Sequence, residues 1–482
     1  MSRLQSNCLI AAVTVAIMAG YLLHLNIGCL NQEKKEAAPG EAPCSQSYEA
    51  PDTIEDLSKI PQDIRRFAAM IKETMGTDEQ AQVMQQFHER YFAPWTTPEP
   101  LFNVSTVTEQ VKMFAERTWY GENRQIVEPE RMQGLLALAD LDRLPSMNQL
   151  GIVIKPTFIR ILPTIRPFYE TPDDFPFDQL QFSEIKPNEP IRILHATKDG
   201  AWLYIETSYA NGWIEPDAVR VTDESLQKRM IKAPRVVIVR DFAIMQTERG
   251  DVLPQPKIGT LYPLVQEEPD HWLVNVAVAG SDRDAALATA RIAKNNASRH
   301  PLSFSPEALT LIGNELLKTP YGWGELYRNR DCSATTRDFF LAFGIWLPRN
   351  SLKQITSGPL VSLANLSSID KEKLIREQGI PFRTLLHQKG HIMLYIGLDG
   401  EKPIVLHTAW AFRYKRMNCP ENKLVIGRTV LSTLEIGKEL PLSKGTILDR
   451  LDRMLLLPVM PGERIEKDQT SHEEKKLILP PL

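Results

Sequence analysis

The sequence has few cysteines, little net charge and no glycine-rich phosphate loop. Only 5 of its 482 residues are cysteine, and its formal net charge is −4 with a pI near 6.2. The weak charge argues against a dedicated nucleic-acid binder, and the missing Walker and dinucleotide loops leave a nucleotide cofactor without support. Without extended low-complexity tracts, and with 43% hydrophobic residues, the composition is that of a folded soluble protein. The length predicts about three or four domains.

The N-terminus has the pattern of an export signal. An apolar run over residues 8–25 predicts a signal peptide or a signal anchor. It ends in Leu25-Asn26-Ile27-Gly28-Cys29, which is similar to a bacterial lipoprotein cleavage site except at Asn26. Lipidation of Cys29 and an uncleaved anchor are the alternatives, because the run approaches the roughly 20 residues that span a bilayer. Both alternatives predict export, with membrane attachment only through this N-terminal segment.

Three cysteines remain beyond this segment: Cys44, Cys332 and Cys419. An odd number allows at most one disulfide and leaves one free thiol. Cys332 is favoured as the free thiol. A Cys44–Cys419 bridge is possible, but the sequence does not establish it.

The spacing of apolar residues divides the rest of the chain. Residues 64–71 and 132–138 carry apolar residues at helical spacing, whereas short apolar runs cut by turn residues begin near 151. A weak repeat at an offset of 70 residues, in which Trp202 returns as Trp272, predicts two successive small β-barrels; chance alignment of β-rich sequence is the alternative.

The predicted boundaries are 1–29 for the signal, 30–50 for a tether, 51–150 for a helical domain, 151–225 and 226–300 for the barrels, 301–460 for a domain that carries the candidate catalytic residues, and 461–482 for a charged tail.

A cysteine at the start of a predicted helix is the strongest chemical signal. Asp331 can cap a helix whose first turn contains Cys332, and unpaired N–H groups there can stabilise a thiolate and an oxyanion. The alternative is a small buried core residue, which is the commoner environment of a free cysteine. The polar neighbours Asp331 and Ser333 argue against purely apolar burial.

Two histidines lie on a predicted hairpin downstream. If the turn is centred on Asp399, His391 and His407 are direct cross-strand neighbours with Cβ atoms roughly 5 Å apart. His391 can then act as the general base for Cys332, and His407 can orient its ring. The alternative for His407 is a core histidine on a strand.

A zinc site is the competing arrangement, since His387 and His391 are four residues apart. That spacing suits zinc only on a helix, and Gly390 with the strand pattern after it argues against one. On one strand the two would lie about 13 Å apart. His387 is therefore predicted to be a loop residue, and no metal is expected.

Taken together, these residues resemble the NlpC/p60 cysteine peptidases. Upstream segments also resemble a subset of that family with an N-terminal helical clip domain and two bacterial SH3-like domains; the second of these is the weakest match. The motifs that carry the resemblance are Tyr321-Gly322-Trp323-Gly324, Asp331-Cys332-Ser333, Leu347-Pro348-Arg349, residues 390–397, Leu406-His407, residues 177–183, Trp202, Gly212-Trp213 and residues 91–95.

The resemblance implies an α+β multidomain protein with a papain-like catalytic domain that cuts peptidoglycan stem peptides, usually between γ-D-glutamate and the diamino acid. It implies no cofactor, an exported location in the bacterial periplasm or cell envelope, and a monomer. In related enzymes the first SH3-like domain closes off the cleft and favours stems with a free N-terminal L-Ala. The implied site residues are Cys332 as nucleophile, His391 as base, His407 as the orienting residue, Tyr321 near the thiol, and Asp331, Ser333, Trp323 and Asn350 at the substrate.

Two positions depart from the family pattern. Glu325 stands where a second glycine is common, and Asn350 stands where an acidic residue often meets the substrate amine. A neutral Asn350 cannot form that ion pair, which leaves the preference for a free amine open. Two other functions also stay open: a thiol-dependent amidase or acyltransferase on another acyl substrate, and a non-catalytic wall-binding scaffold.

Overall fold

The computed structural model describes residues 54–71, 75–416 and 419–458. The predicted signal, the tether, Cys29, Cys44 and the charged tail lie outside these described residues. Within them, no helix has both the length and the apolar character needed to cross a bilayer. Their architecture is a multidomain α+β fold, which confirms the predicted fold class.

The helices are short, and the strands form three antiparallel sheets. The α-helices are α1 (Glu55–Lys59), α2 (Arg65–Ala68), α3 (Thr77–Tyr91), α4 (Ala93–Thr96), α5 (Val104–Ala115), α6 (Pro129–Ala139), α7 (Glu224–Lys232), α8 (Pro306–Leu316), α9 (Cys332–Ala342), α10 (Ser351–Ile355), α11 (Ser368–Gln378) and α12 (Ile447–Arg450). The strands are β1 (Gln149–Val153), β2 (Thr157–Arg160), β3 (Gln181–Ile185), β4 (Pro190–Ala196), β5 (Leu203–Glu206), β6 (Asn211–Ile214), β7 (Val219–Val221), β8 (Arg235–Ile238), β9 (Gln246–Thr247), β10 (Leu261–Glu267), β11 (His271–Ala279), β12 (Ala285–Ala293), β13 (Ala297–His300), β14 (Leu360–Ser362), β15 (Thr384–Gln388), β16 (His391–Asp399), β17 (Lys402–Tyr414), β18 (Asn422–Thr433) and β19 (Arg453–Leu456).

The first sheet has the order β3-β2-β6-β5-β4-β1-β7 and packs against the N-terminal helices. Phe114 of α5 and the buried Trp119 share a core with Trp213 of β6. The indole N–H of Trp95 in α4 donates to the backbone oxygen of Gly151 in β1, at 2.8 Å. These contacts fix the helical segment on the sheet that later forms one wall of the site.

The second sheet has the order β13-β8-β10-β11-β12-β9. Its β10–β11 hairpin corresponds in sequence to the β4–β5 hairpin of the first sheet, and both ladders contain a register shift. Trp202 lies just before β5, and Trp272 lies in β11. The 70-residue offset therefore relates equivalent hairpins of two separate sheets.

The third sheet has the order β14-β19-β15-β16-β17-β18, and α9 packs against its β16 and β17. Ser305 caps α8 by accepting from the N–H of Ala308. In α9, Thr336, Phe339 and Phe340 are buried. The helix ends at Ala342, two residues before Gly344, which adopts a left-handed φ of 79°.

Candidate active site

A cavity of about 330 Å³ opens over the N-terminus of α9. Its walls come from the first sheet, from the segment before α9, and from the β16–β17–β18 part of the third sheet. The eight predicted site residues all line it: Tyr321, Trp323, Asp331, Cys332, Ser333, Asn350, His391 and His407. Residues that lie up to 86 positions apart in the sequence thus meet in one cavity.

Cys332 is the first residue of α9 and keeps partial access to the cavity. Asp331 caps the helix, and its Oδ1 accepts from the N–H of Ala334 at 2.9 Å. Of the described cysteines, Cys332 is free and Cys419 is disulfide-bonded; the other half of the possible pairing, Cys44, lies outside the described residues. The thiol is therefore presented on a rigid helix start.

Burial, reinforced by the Asp331 carboxylate, raises the pKa of the Cys332 thiol to about 12. The N–H groups of Ile392 and Ser333 and the Arg349 guanidinium oppose this shift without cancelling it. Desolvation and a neighbouring negative charge therefore outweigh the stabilisation that the helix start offers a thiolate. The resting thiol is neutral and needs a base.

His391 and His407 make direct contact, although the predicted register of their hairpin is wrong. The turn is Gly400-Glu401, and a register shift beside Gly397 then aligns Leu394 with Leu406. This ladder places His407 two residues away from the position opposite His391. A two-residue offset keeps both side chains on the same face of the sheet, and His391 Nε2 lies 2.8 Å from His407 Nδ1.

The hydrogen bonds of Ser432 assign the tautomers of this pair. The Ser432 hydroxyl donates to the backbone oxygen of Thr433 at 2.8 Å, so it accepts from His407 Nε2–H at 3.0 Å. His407 Nδ1 then carries no proton and accepts from His391 Nε2–H. This leaves the lone pair of His391 Nδ1 as the basic site.

Both imidazoles are neutral at neutral pH. Burial, together with the neighbouring His407 imidazole and the Arg450 guanidinium, holds the pKa of His391 well below its ordinary value of 6.5. Burial lowers the pKa of His407 to about 4. A neutral thiol thus shares the cavity with a neutral imidazole that can accept its proton.

Tyr321 forms part of an aromatic wall beside the thiol. Its ring centroid lies 5.6 Å from that of Trp410 and 6.3 Å from that of Phe177. Burial, reinforced by the Asp331 carboxylate and the nearby Cys332, raises the pKa of its phenol well above the usual value. The hydroxyl therefore keeps its proton at neutral pH.

Arg349 donates hydrogen bonds to the side chains of both Asp331 and Ser333. The sequence motif includes this arginine, but it was not among the predicted site residues. Arg349 donates from Nη2 to Asp331 Oδ2 at 2.7 Å and from Nη1 to the Ser333 hydroxyl at 2.8 Å. Asp331 Oδ2 also accepts from the N–H of Gly324 at 3.1 Å. These two predicted substrate residues line the cavity, while their polar groups hold the helix start in place.

Glu325, the departure from the double-glycine pattern, is fully buried in a left-handed conformation with a φ of 64°. Its carboxylate pairs with Arg337 at 2.8 Å and with Arg349 at 3.2 Å, and it accepts from the Ser183 hydroxyl of β3 at 2.8 Å. Despite burial, the cations led by Arg337 lower its pKa to about 2. The residue ties the first sheet to the segment that presents Cys332.

Asn350, the second departure, caps α10. Its Oδ1 accepts from the N–H of Leu352 at 2.9 Å and from that of Lys353 at 3.3 Å. It is buried and lines the cavity. Its amide oxygen thus has a structural use that an aspartate would also provide.

The first sheet closes one side of the cavity. Gln181 of β3 donates from Nε2 to the backbone oxygen of Gly324 at 2.8 Å, and Trp323 donates from its indole to that of Asp178 at 3.0 Å. The Phe177 ring lies 5.2 Å from the Trp323 ring. The predicted site residue Trp323 therefore joins the wall to the thiol-bearing segment.

His387 lies in β15 and not in a loop, so that expectation is wrong. A two-residue turn, Lys389-Gly390, places Gln388 opposite His391 in the ladder. His387 Nδ1 contacts Asp452 Oδ1 at 2.7 Å. Among the residues that the structure describes, no cluster of three histidine, cysteine or acidic side chains could hold a metal.

A helix-borne thiol facing two histidines on an antiparallel sheet defines a papain-like thiol hydrolase site. Family models match three parts of the chain. Residues 20–143 match the N-terminal NLPC_P60 stabilising domain, residues 167–215 match the SH3 domain of the SH3b1 type, and residues 318–419 match the NlpC/P60 family. Residues 318–419, which contain Cys332, His391 and His407, thus match a family of cysteine peptidases.

A solved structure shares the fold. An NlpC/P60 endopeptidase from Photobacterium damselae subsp. piscicida is similar with a TM-score of 0.74 and 22% identity, over 83% of this chain and 98% of that chain. At this identity the likeness shows the fold alone. An NlpC/P60 family protein from Bacillus cereus ATCC 10987 gives a TM-score of 0.39 at 19% identity, over 58% of this chain and 83% of that one, which is too low to support an argument. No curated protein sequence matches the chain.

Proposed function

We propose that this protein is an exported endopeptidase that hydrolyses peptidoglycan stem peptides at the amide between γ-D-glutamate and the diamino acid. The observation that carries the proposal is the ordered chain from Ser432 through His407 to His391 in the cavity that contains Cys332. It supplies a nucleophile, a base of defined tautomer and an orienting partner. The match of residues 318–419 to the NlpC/P60 family supports cell-wall peptides as the substrate class.

In the proposed reaction, His391 Nδ1 takes the proton of the Cys332 thiol as Sγ attacks the carbonyl carbon of the amide. The N–H of Cys332 has no acceptor within the described part of the chain, so it can donate a hydrogen bond to the oxyanion. His391 then returns the proton to the departing amine as the C–N bond breaks. Water hydrolyses the thioester by the same proton path, which releases the γ-glutamyl carboxylate and restores the thiol.

The shape of the cavity supports released stem peptides as the preferred form of the substrate. A volume of about 330 Å³ is at the lower end for small-ligand pockets. Phe177 and Gln181, both within the residues that match the SH3 domain, line one side of it. A short peptide with free ends can enter such a site, whereas a stem still attached to glycan strands needs open space on both sides.

Export, lipidation of Cys29 and the domain boundaries are part of the proposal. Envelope location accords with a cell-wall substrate. Membrane fractionation of the wild type and of Cys29→Ser tests the lipid anchor. Retention of Cys29→Ser in the membrane fraction would favour an uncleaved signal anchor, and no membrane association of the wild type would exclude both attachments.

The deciding experiment is mass spectrometry of products from L-Ala-γ-D-Glu-meso-diaminopimelate, with intact sacculi in parallel. We expect L-Ala-D-Glu and free diaminopimelate from the tripeptide and little release from sacculi. Cys332→Ala should abolish cleavage while its urea unfolding curve stays that of the wild type. Equal activity of Cys332→Ala would refute the proposed nucleophile, and a new amide or ester product would instead indicate acyl transfer.

A further inference from the structure

Four buried threonine hydroxyl groups, here called the threonine chain, connect the segments that carry the site residues. Its members are Thr335 of α9, Thr408 of β17, Thr429 of β18 and Thr319, which follows α8. The Thr335 hydroxyl contacts that of Thr408, which lies 2.7 Å from that of its cross-strand partner Thr429. The Thr429 hydroxyl in turn lies 2.9 Å from that of Thr319. No member is more than 7% exposed, so the four hydroxyls depend on one another for hydrogen bonds.

Both ends of the threonine chain meet a backbone carbonyl group. At one end the Thr335 hydroxyl donates to the carbonyl oxygen of Asp331 at 3.0 Å. At the other end the Thr319 hydroxyl donates to the carbonyl oxygen of Leu316 at 2.7 Å. Each of these carbonyls also accepts a backbone N–H at 3.0 Å, so neither is left without a partner when its hydroxyl turns away.

The number of protons gives the threonine chain two ordered states. Three contacts between hydroxyls and two contacts with carbonyls make five, whereas four threonines supply four O–H protons. Every contact between hydroxyls is filled only when the missing proton falls at one end. All O–H groups then point the same way, either toward Asp331 or toward Leu316.

The Asp331 end of the threonine chain bears on the reaction. The carbonyl of Asp331 and the N–H of Cys332 belong to the same peptide group, and this N–H can donate to the oxyanion. A hydrogen bond accepted by a peptide carbonyl polarises the group and strengthens its N–H as a donor, and consecutive hydrogen bonds reinforce one another. Negative charge that develops beside Cys332 therefore favours the state in which all four O–H groups point toward Asp331.

We propose that the threonine chain strengthens the N–H of Cys332 as the donor to the oxyanion, so that its four threonines are positioning residues of the reaction. The proposal rests on the proposed function, because the oxyanion forms when Cys332 attacks the amide. Of the four threonines, Thr408 lines the cavity and the other three do not. Those three act through Thr408 or through the Asp331–Cys332 peptide group.

The first test measures kcat and KM for L-Ala-γ-D-Glu-meso-diaminopimelate. We expect Thr335→Val to lower kcat about 2- to 10-fold, the range of one neutral hydrogen bond. KM should stay unchanged, because the oxyanion exists only beyond the bound ground state. Thr429→Val should lower kcat less, although Thr429 lies outside the cavity. Its strand stays joined to the segment after α8, because the backbone N–H of Thr429 donates to the carbonyl of Thr319 at 3.1 Å.

Two further variants separate this role from a structural one. Thr335→Ser keeps the hydroxyl and should retain the kcat of the wild type. Thr108→Val is the matched control, because the Thr108 hydroxyl also donates to the carbonyl four residues earlier in a helix, α5, at 3.0 Å. It should leave kcat unchanged. An unchanged kcat in Thr335→Val, or an equal loss in Thr335→Ser, overturns the proposal even where the unfolding free energy falls.

The second test does not depend on turnover. Isotope-labelled cysteine gives an amide signal for Cys332, which its loss in Cys332→Ala assigns, and the chemical shift of the amide nitrogen responds to the hydrogen bond at the preceding carbonyl. We expect Thr335→Val and Thr429→Val to move this signal in the same direction, the first by more, and Thr335→Ser and Thr108→Val to leave it in place. An unmoved signal in Thr429→Val overturns the threonine chain. A moved signal with no cleavage of the tripeptide by the wild type would instead refute the proposed function, and with it the role of the chain in that reaction.

Discussion

Removing the buried charge of Glu325 is expected to destabilise the protein by about 3–5 kcal/mol, the cost of breaking a buried ion pair by deleting one partner. Glu325→Gln keeps the shape of the side chain but leaves Arg337 and Arg349 without their shared carboxylate. The Ser183 hydroxyl would also lose a charged acceptor. Arg349 would then be held mainly by Asp331, beside the thiol.

The pKa of Glu325 gives an independent magnitude. A shift from 4.5 to about 2 corresponds to about 3 kcal/mol at 1.36 kcal/mol per pH unit. Because the folded pKa is lowered, this stabilisation is fully present above pH 4.5 and is lost as the pH falls toward 2. The penalty of Glu325→Gln should therefore shrink by about the same amount between pH 7 and pH 2.

The assay is equilibrium urea unfolding of the full chain, followed by tryptophan fluorescence at several pH values. Glu122→Gln is the matched control, because Glu122 pairs with Arg166 at 3.1 Å with both side chains largely exposed. That change should cost less than about 1 kcal/mol. A Glu325→Gln penalty below about 0.5 kcal/mol at pH 7, or one that does not vary with pH, would refute the charge network.

Three further predictions concern the site. His407→Leu should lower kcat about 100-fold with little change in KM. His407→Asn should retain clearly more activity, because its amide oxygen can still accept from His391 Nε2–H. Equal losses of activity in the two variants would contradict the assigned tautomers. Because burial holds the pKa of the Cys332 thiol near 12, its alkylation by iodoacetamide without substrate should keep rising beyond about pH 10, and a plateau near neutral pH would contradict a neutral resting thiol. Asn350→Ala should cost about 1 kcal/mol through loss of the α10 cap, while Asn350→Asp should keep the cap; chemical unfolding distinguishes them, and equal losses would contradict a capping role.

The sequence predicted the parts of the site that depend on local pattern. The Asp331 cap, the start of α9 at Cys332 and the strand that begins at His391 follow from side-chain types at short spacing. The predicted hairpin register was wrong because the register shift beside Gly397 cannot be recognised from the residue types. The contact with His407 survived because an error of two residues keeps the same face.

Contacts between segments that are far apart in the sequence could not be predicted from local residue patterns. Ser432 orients His407 only because β18 lies beside β17, and nothing in its neighbours marks it. Arg349 was visible in the Leu-Pro-Arg motif, but its bond to Asp331 depends on the fold. Glu325 could be seen as a departure from a pattern, whereas its partners on the first sheet could not.

A network of buried charges lies around Cys332. Five carboxylates pair with five cations, and each of these side chains is at most 10% exposed. Its members are Glu184, Asp241, Glu325, Asp331 and Asp338 with Lys186, Lys257, Arg330, Arg337 and Arg349. Glu184 also pairs with the partly exposed Arg328 at 2.8 Å. A buried set whose charges are all paired has little capacity left for a ligand, and breaking it is costly, which suits a scaffold that fixes the thiol.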